Sequence, residues 1–361
     1  MPAATPRAAL GTWAWSTPSP LIRKTVTGWA QPIRATTAQP WDTKQDRNQS
    51  PLSGRKRSAT AAARRFGELE RIMQRLLSTY LFVSRKLTPE LLGQISEAGF
   101  QGVEIFCTRS HFEYAMKPEI QTVASALEQH GLQLVSLHAP TSRDVSAMRE
   151  SGTPLSICEV ERVRRVEAMD ELKRVIDVAE DLPYARLILH MGGPRETADP
   201  RKRDAAFSSL EHLILHAHHV GVTICVENTS SEMGDPSYLR DFVDETRLVG
   251  LRFNFDIGHA NLSDIPEDER LEKSFSPLRD FVSSVHLHDN RGEKDEHLPP
   301  YDGTIDWPAA IKLLKTAPEL KLPLLLELKE KTGPEAPSAA EQLTTARKSM
   351  DRFEKAWNSA K

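Results

Sequence analysis

The chain is poor in cysteine. It has three in 361 residues, Cys107, Cys158 and Cys225, scattered and odd in number. They read as reduced, buried thiols of a cytoplasmic protein and argue against a disulfide-stapled secreted scaffold. Long apolar runs are missing too. None approaches the ~20 residues of a membrane span, and the N-terminus lacks the apolar h-region of a secretory signal. Nor does the main body carry surplus positive charge. Residues 1–72 hold 12 Lys and Arg against 4 Asp and Glu, which leaves 35 basic and 46 acidic residues over 73–361, a net of −11. A body of that sign is a poor partner for a phosphate backbone, so nucleic acid is not the expected partner. What the chain does have is 39% apolar residues, enough for a sizeable core, and a length that suits a single barrel domain of about 250 residues or more.

Residues 1–72 are rich in Pro, Thr, Ala and Arg, show no sustained period, and carry the basic patches Arg55-Lys56-Arg57 and Arg64-Arg65. The composition reads as a disordered N-terminal extension. Its basic, hydroxyl-rich, acid-poor bias also suits an organelle transit peptide. Met73 stands just before the first predicted strand, which allows a third reading in which the upstream segment is not native. A helical turn is expected near 62–76.

From Met73 the pattern becomes regular. Strands are predicted at 79–84, 102–106, 133–138, 186–190, 222–227, 252–256, 283–288 and 323–328. Helices are predicted between and after them: 88–98, with Thr88 as cap, Pro89 at its first position and Gly99 closing it, then 117–130 closed by Gly131, and near 157–180, 201–219, 235–245, 267–280, 307–316 and 338–357. Strict alternation of eight strands with eight helices predicts an α/β fold, a (β/α)8 TIM barrel over 73–361. A doubly wound sheet is the rival. It is disfavoured because the polar residues come from too many strands for one switch-point crevice.

Those polar residues sit at corresponding places. In Phe253-Asn254-Phe255-Asp256-Ile257-Gly258-His259 the aromatics share one face and Asn254 and Asp256 the other. Other strands end in His138, His190, Glu227, His286 and Glu327, and one loop carries Asp295 and His297. Any one of these is more readily a hydrogen-bonded core residue. Together, six unsatisfied strand ends in one barrel mouth would be costly without a shared cation. Imidazole and carboxylate together suit zinc, manganese, iron or cobalt rather than calcium or magnesium.

Leu137-His138-Ala139-Pro140, Leu189-His190-Met191-Gly192, Val226-Glu227-Asn228-Thr229, Phe255-Asp256-Ile257-Gly258-His259, His286-Leu287-His288-Asp289-Asn290 and Asp295-Glu296-His297-Leu298-Pro299-Pro300 resemble the xylose isomerase-like TIM-barrel superfamily (AP endonuclease family 2). This superfamily joins sugar isomerases and epimerases with apurinic endonucleases of the endonuclease IV type. In the sugar branch the resemblance implies one divalent metal held by Glu227, Asp256, His286 and Glu327. His259 would contact sugar oxygens, His288 would be a supporting or substrate-binding residue, and His138 and His190 would line the pocket. In the endonuclease branch it implies a three-zinc site using His138, His190, Glu227, Asp256, His259, His286, Asp295, His297 and Glu327. The family's usual Gly-Glu-Gly step is Tyr301-Asp302-Gly303 in this chain, which shortens the carboxylate arm.

The function this implies is a metal-dependent isomerase or epimerase of sugars or sugar phosphates. A metal gripping a carbonyl acidifies the neighbouring carbon, and Glu227 and Glu327, three strands apart on an eight-strand ring, are placed to act as base and acid. The alternative is an apurinic endonuclease. Against it, the loops after strands two and three offer only Arg109 and Arg143, and the body is acidic. Secondary candidates keep two readings each: Lys329 as substrate anchor or solvated charge, Trp307 as sugar platform or helix-start packing, Glu104 as pocket residue or floor, and Arg195 as phosphate ligand or surface salt bridge. Self-association into a homo-oligomer is left open, and no membrane partner is expected.

Overall fold

The computed structural model describes residues 73–142, 154–319 and 322–360. The readings made for residues 1–72, and for Arg143, lie outside the described residues.

Eight parallel strands close into a barrel in chain order: β1 Leu76–Ser78, β2 Gly102–Phe106, β3 Gln133–His138, β4 Arg186–His190, β5 Thr223–Glu227, β6 Arg252–Asp256, β7 Val282–Leu287 and β8 Leu324–Leu326. Closure is direct, with Leu76 and Leu77 of β1 opposite Leu325 and Leu326 of β8. The helices are α1 Pro89–Glu97, α2 Lys117–His130, α3 Arg162–Asp177, α4 Pro200–His219, α5 Pro236–Thr246, α6 Glu267–Phe275, α7 Trp307–Leu314 and α8 Ala339–Ser359.

Local chemistry explains the helix boundaries. Thr88 caps α1 by accepting from the Leu91 N–H, with Pro89 at the first position. Gly131 ends α2 at φ 64°, a left-handed conformation that a Cβ disfavours. Asp199, Asp235, Asp306 and Ser338 cap α4, α5, α7 and α8 through their side-chain oxygens. Two predicted helices are shorter than their patterns. The one near 157–180 is α3 plus a 3-10 turn at Val178–Glu180, and the one at 267–280 splits into α6 and a 3-10 turn at Arg279–Phe281.

The first strand is a correction. It was expected over 79–84, but β1 ends at Ser78, and Thr79–Phe82 forms a 3-10 turn. The Ser78 hydroxyl accepts the Tyr80 N–H and so ends the strand, while Thr79 Oγ1 accepts the Phe106 N–H at 3.0 Å. The β-prone composition of 79–83 reflects burial of Leu81 and Phe82, not strand pairing. This turn places Tyr80 in the lining of the cavity at the barrel mouth.

Alternation along β6 sorts its side chains as expected. Phe253 and Phe255 face the helix layer, packing edge-on against Phe281 and Phe275 at 6.2 and 5.0 Å. Asn254 and Asp256 face the barrel axis. Register then aligns polar strand ends, with His190 opposite Glu227 and Asp256 opposite His286. Candidate ligand side chains from distant parts of the chain thus reach one level, at the C-terminal end of the barrel.

Candidate metal centre at the barrel mouth

The ten residues singled out from the sequence gather in three adjoining groups. Glu227, Asp256, His286 and Glu327 form one; His138, His190 and Glu227 a second; His259, His288, Asp295 and His297 a third. Within each group the donor atoms lie within 4.8 Å of one another. Glu227 belongs to two groups. Its Oε2 faces His138 Nε2 at 3.1 Å and His190 Nε2 at 3.0 Å, and its Oε1 accepts from Asn254 Nδ2 at 3.0 Å and lies 2.7 Å from His286 Nδ1.

The elements explain the geometry. Asp256 ends β6 and caps the one-turn helix Ile257–Ala260, its Oδ1 accepting the His259 N–H at 2.6 Å. That turn swings His259 back over the mouth. Gly258 sits within the turn because a Cβ there would lie 2.0 Å from the His288 ring. His288 stacks on His297 with ring centroids 3.9 Å apart, and its Nε2 bonds to Asp256 at 2.9 to 3.0 Å. The loop after β7 brings Asp295 and His297 in, with His297 itself at φ 46°, a strained value for a side-chain-bearing residue.

The imidazoles carry the diagnostic detail. His138 directs Nδ1 to the Ala139 carbonyl at 2.9 Å, His259 to the Asn228 carbonyl at 2.9 Å, and His297 to the Glu327 carbonyl at 3.2 Å. Only an N–H satisfies a carbonyl, so a neutral ring must then turn its Nε2 lone pair outward. In each case that atom faces a carboxylate oxygen, Glu227 Oε2 for His138 and Asp295 Oδ2 at 3.4 and 3.1 Å for His259 and His297. His286 behaves likewise. Glu104 holds its Nε2 at 3.2 to 3.3 Å, while Nδ1 lies 2.7, 3.3 and 3.7 Å from Glu227, Glu327 and Asp256 without a hydrogen bond to any of them. A lone pair aimed at a carboxylate is repulsive unless a second proton or a cation lies between them.

The same frustration sets the direction in which these groups' pKa values move. Burial alone would depress His286, yet Glu327, Glu227 and Glu104 push it well above its usual value. His259 is raised well above normal by Asp256 and Asp295 against the same burial, and His138 and His297 are raised too. Burial alone would raise Glu227, Glu327 and Asp295, but neighbouring imidazoles bring all three well below the ordinary carboxylate range. In the bare protein, protons on the imidazoles must balance these carboxylates. A divalent cation in each group would do the same with neutral rings. The donor set therefore fits a metal, with one imidazole nitrogen anchored and the other free to ligate, the usual arrangement of metal-binding histidines.

Several contributors were not identified as such in the sequence. Asn254 steadies Glu227, and the Ser78 hydroxyl reaches Glu327 Oε1 at 3.4 Å. Asn228 clasps β6 by bonding both the carbonyl and the N–H of Asp256; its place beside Glu227 was the only signal. Glu104 resolves to the floor beneath His286, where Ser136 also donates to it at 2.7 Å. Trp307 is packing, not a sugar platform. It is fully buried, and its Nε1 donates to Asp289 at 2.8 Å. Lys329, Arg195 and Asp302 are exposed, and Arg109 is committed to Glu171. All three cysteines are buried and unpaired.

Above the floor lies a cavity of roughly 200 Å³ onto which His138, His190, His259, Asp295, His297 and Glu327 open. Glu327 reaches it directly, while Glu227 lies beneath His138 and His190. Among the described residues, no helix is long and apolar enough to cross a membrane.

Comparison with known proteins gives a consistent picture. Residues 92–355 match the family model described as xylose isomerase-like TIM barrel. An uncharacterized protein of Methanocaldococcus jannaschii is 28% identical over 248 residues, spanning 66% of this chain and 78% of its own. Among solved structures, a D-tagatose 3-epimerase-like protein superposes with a TM-score of 0.63 at 21% identity, over 79% of this chain and 98% of its own. An IOLI protein with a bound zinc atom superposes with a TM-score of 0.63 at 16% identity, over 80% of this chain and all (100%) of its own. At these identities the two structures establish the fold.

Proposed function

The chain belongs to the xylose isomerase-like TIM barrel family, and from that premise we propose that it is a divalent-metal-dependent isomerase or epimerase of sugars or sugar phosphates. The observation that carries this reading is His286, whose Nδ1 faces three carboxylates at 2.7 to 3.7 Å with no hydrogen bond to any. It lies beneath a compact cavity whose polar side is imidazole and carboxylate. Glu227, Asp256, His286 and Glu327 would hold the principal metal. A cation bound there supplies Lewis-acid polarisation of a substrate carbonyl and its neighbouring hydroxyl. The chain's own groups then move the proton. Glu327 opens onto the cavity and takes the proton from the carbon beside the carbonyl; Glu227, on the same Nδ1 side of His286 but beneath His138 and His190, returns it through His190, whose Nε2 lies 3.0 Å from its Oε2. His138, His190 and His259 orient the hydroxyls, and Glu104 fixes the His286 ring. The epimerase-like and zinc-bearing structural neighbours support this choice of chemistry and of metal class.

A second reading is kept because one observation favours it. Glu227 is shared between two donor groups and a third group adjoins them, the arrangement expected of an endonuclease IV-type enzyme with three zincs. The acidic body counts against binding a duplex. One experiment separates the two. The purified protein is loaded with zinc, its metal content is measured by mass spectrometry, and it is assayed both for deuterium uptake from solvent by a panel of ketoses and aldoses and for nicking of abasic DNA. Uptake lost in Glu327→Gln supports the isomerase; nicking without uptake replaces it with the endonuclease.

A further inference from the structure

The cavity has two chemically different sides. One side, formed at β3 and β4 and by the segment between them, is mostly aliphatic, with Pro140, Leu155, Ile157, Leu172 and Leu189 beside His138 and His190; His259, Asp295, His297 and Glu327 come from the ends of β6 to β8 across the ring. Aromatic rings join the two sides. Phe106 stacks on His138 at 4.5 Å and 19°, and Tyr80 lies 4.9 Å from Phe106 and 5.1 Å from His297. Among the described residues no lysine or arginine lines the cavity. The acids that do, Asp295 and Glu327, repel an anion.

These sides make opposite demands on a ligand. A fully hydroxylated sugar would press several hydroxyls against aliphatic carbon, where Thr141 is the one side-chain hydroxyl among the described aliphatic residues. A sugar phosphate would bring its dianion to a site whose described lining offers two carboxylates and no fixed cation. Resting on the reading of this mouth as an isomerase or epimerase site, we propose that the preferred substrate is a neutral, amphipathic sugar. Its carbonyl and adjacent hydroxyls face the metal-binding floor, and its far end is apolar, as in a deoxy sugar or an alkyl- or aryl-substituted one. Leu155, half-buried at the cavity wall, is a specificity-determining position.

Calorimetric titration of the full-length, zinc-loaded protein with a hexulose, its 6-deoxy counterpart and its 6-phosphate tests this. The 6-deoxy sugar is expected to bind about tenfold more tightly than the parent, as an apolar group in an apolar pocket does, and the phosphate at least about tenfold more weakly. In Leu155→Lys, the deoxy preference should vanish and phosphate binding should strengthen; circular dichroism checks its fold, and the wild-type series decides alone if the variant fails to fold. Tightest binding of the phosphate, equal binding of all three, or binding of none overturns the proposal. The readout is independent of turnover. Binding in the expected order with no deuterium uptake removes the isomerase reading and leaves the ligand preference standing. Uptake with the phosphate preferred does the reverse.

Discussion

Replacing Asp289 tests how the loop bearing Asp295 and His297 is held. This carboxylate is fully buried and accepts from four donors: the N–H groups of Asn290 at 2.9 Å, Tyr301 at 3.0 Å and Ile305 at 3.3 Å, and the indole of Trp307 at 2.8 Å. Tyr301 presents its N–H from φ 76°, a conformation that costs a non-glycine residue about 1 kcal/mol or more. In Asp289→Ala the three shorter bonds lose their acceptor inside the protein. Each orphaned buried donor costs about 1–3 kcal/mol, so with partial relaxation the variant should lose about 4 kcal/mol. Trp307→Phe removes one donor and leaves the carboxylate three, and should cost about 1.5 kcal/mol. In the Asp289→Ala background it should cost much less, because the indole N–H is already without its partner. Urea unfolding followed by far-UV circular dichroism at fixed zinc measures all four proteins, since bound metal shifts the midpoint by mass action. A loss under about 1 kcal/mol for Asp289→Ala, or an equal cost of Trp307→Phe in both backgrounds, would refute the account.

Three further expectations follow from the same geometry. Glu327→Gln should lower turnover by about 10³-fold or more while its far-UV circular dichroism stays that of the folded wild type; a fully active variant removes Glu327 as the proton-transfer group. Glu104→Gln loosens the clamp on His286 Nε2 and should weaken zinc binding about 10–100-fold, read by competition with a chromophoric chelator; unchanged affinity would make Glu104 merely structural. The third concerns Glu171, which accepts from Arg109, Tyr114 and Arg174 and ties α3 to the loop after β2. Burial would raise its carboxyl, but these donors outweigh burial and bring it to about 2 from 4.5. A depressed carboxyl stabilises the fold above its unfolded value and loses that contribution as pH falls toward the folded one. With allowance for solvent screening, wild type should exceed Glu171→Gln by about 2 kcal/mol above pH 5, and the gap should shrink between pH 4.5 and 2. A gap independent of pH would show that Glu171 acts by packing alone.

Much of this architecture was legible in the residues, for a physical reason. A parallel barrel strand alternates strictly between the axis and the helix layer, so the parity of Phe253, Asn254, Phe255 and Asp256 fixed which side each faces. Thr88, Gly99 and Gly131 marked helix ends because capping and left-handed turns are local chemistry. Composition misled where burial imitates a strand, as at Thr79–Phe82, and where helical periodicity runs on into a 3-10 turn, as after Asp177.

The sequence by itself determined the alternation of strand and helix, the barrel fold, and the set of imidazoles and carboxylates at the strand ends, all of which depend on local patterns. Only the tertiary structure decided which of them share a centre. It was barrel closure and register that set His286 among Glu227, Asp256 and Glu327, drew His288 to Asp256 and His297, and committed Trp307 to Asp289. Those outcomes rest on contacts between residues 9 to 59 positions apart, and no local pattern encodes them.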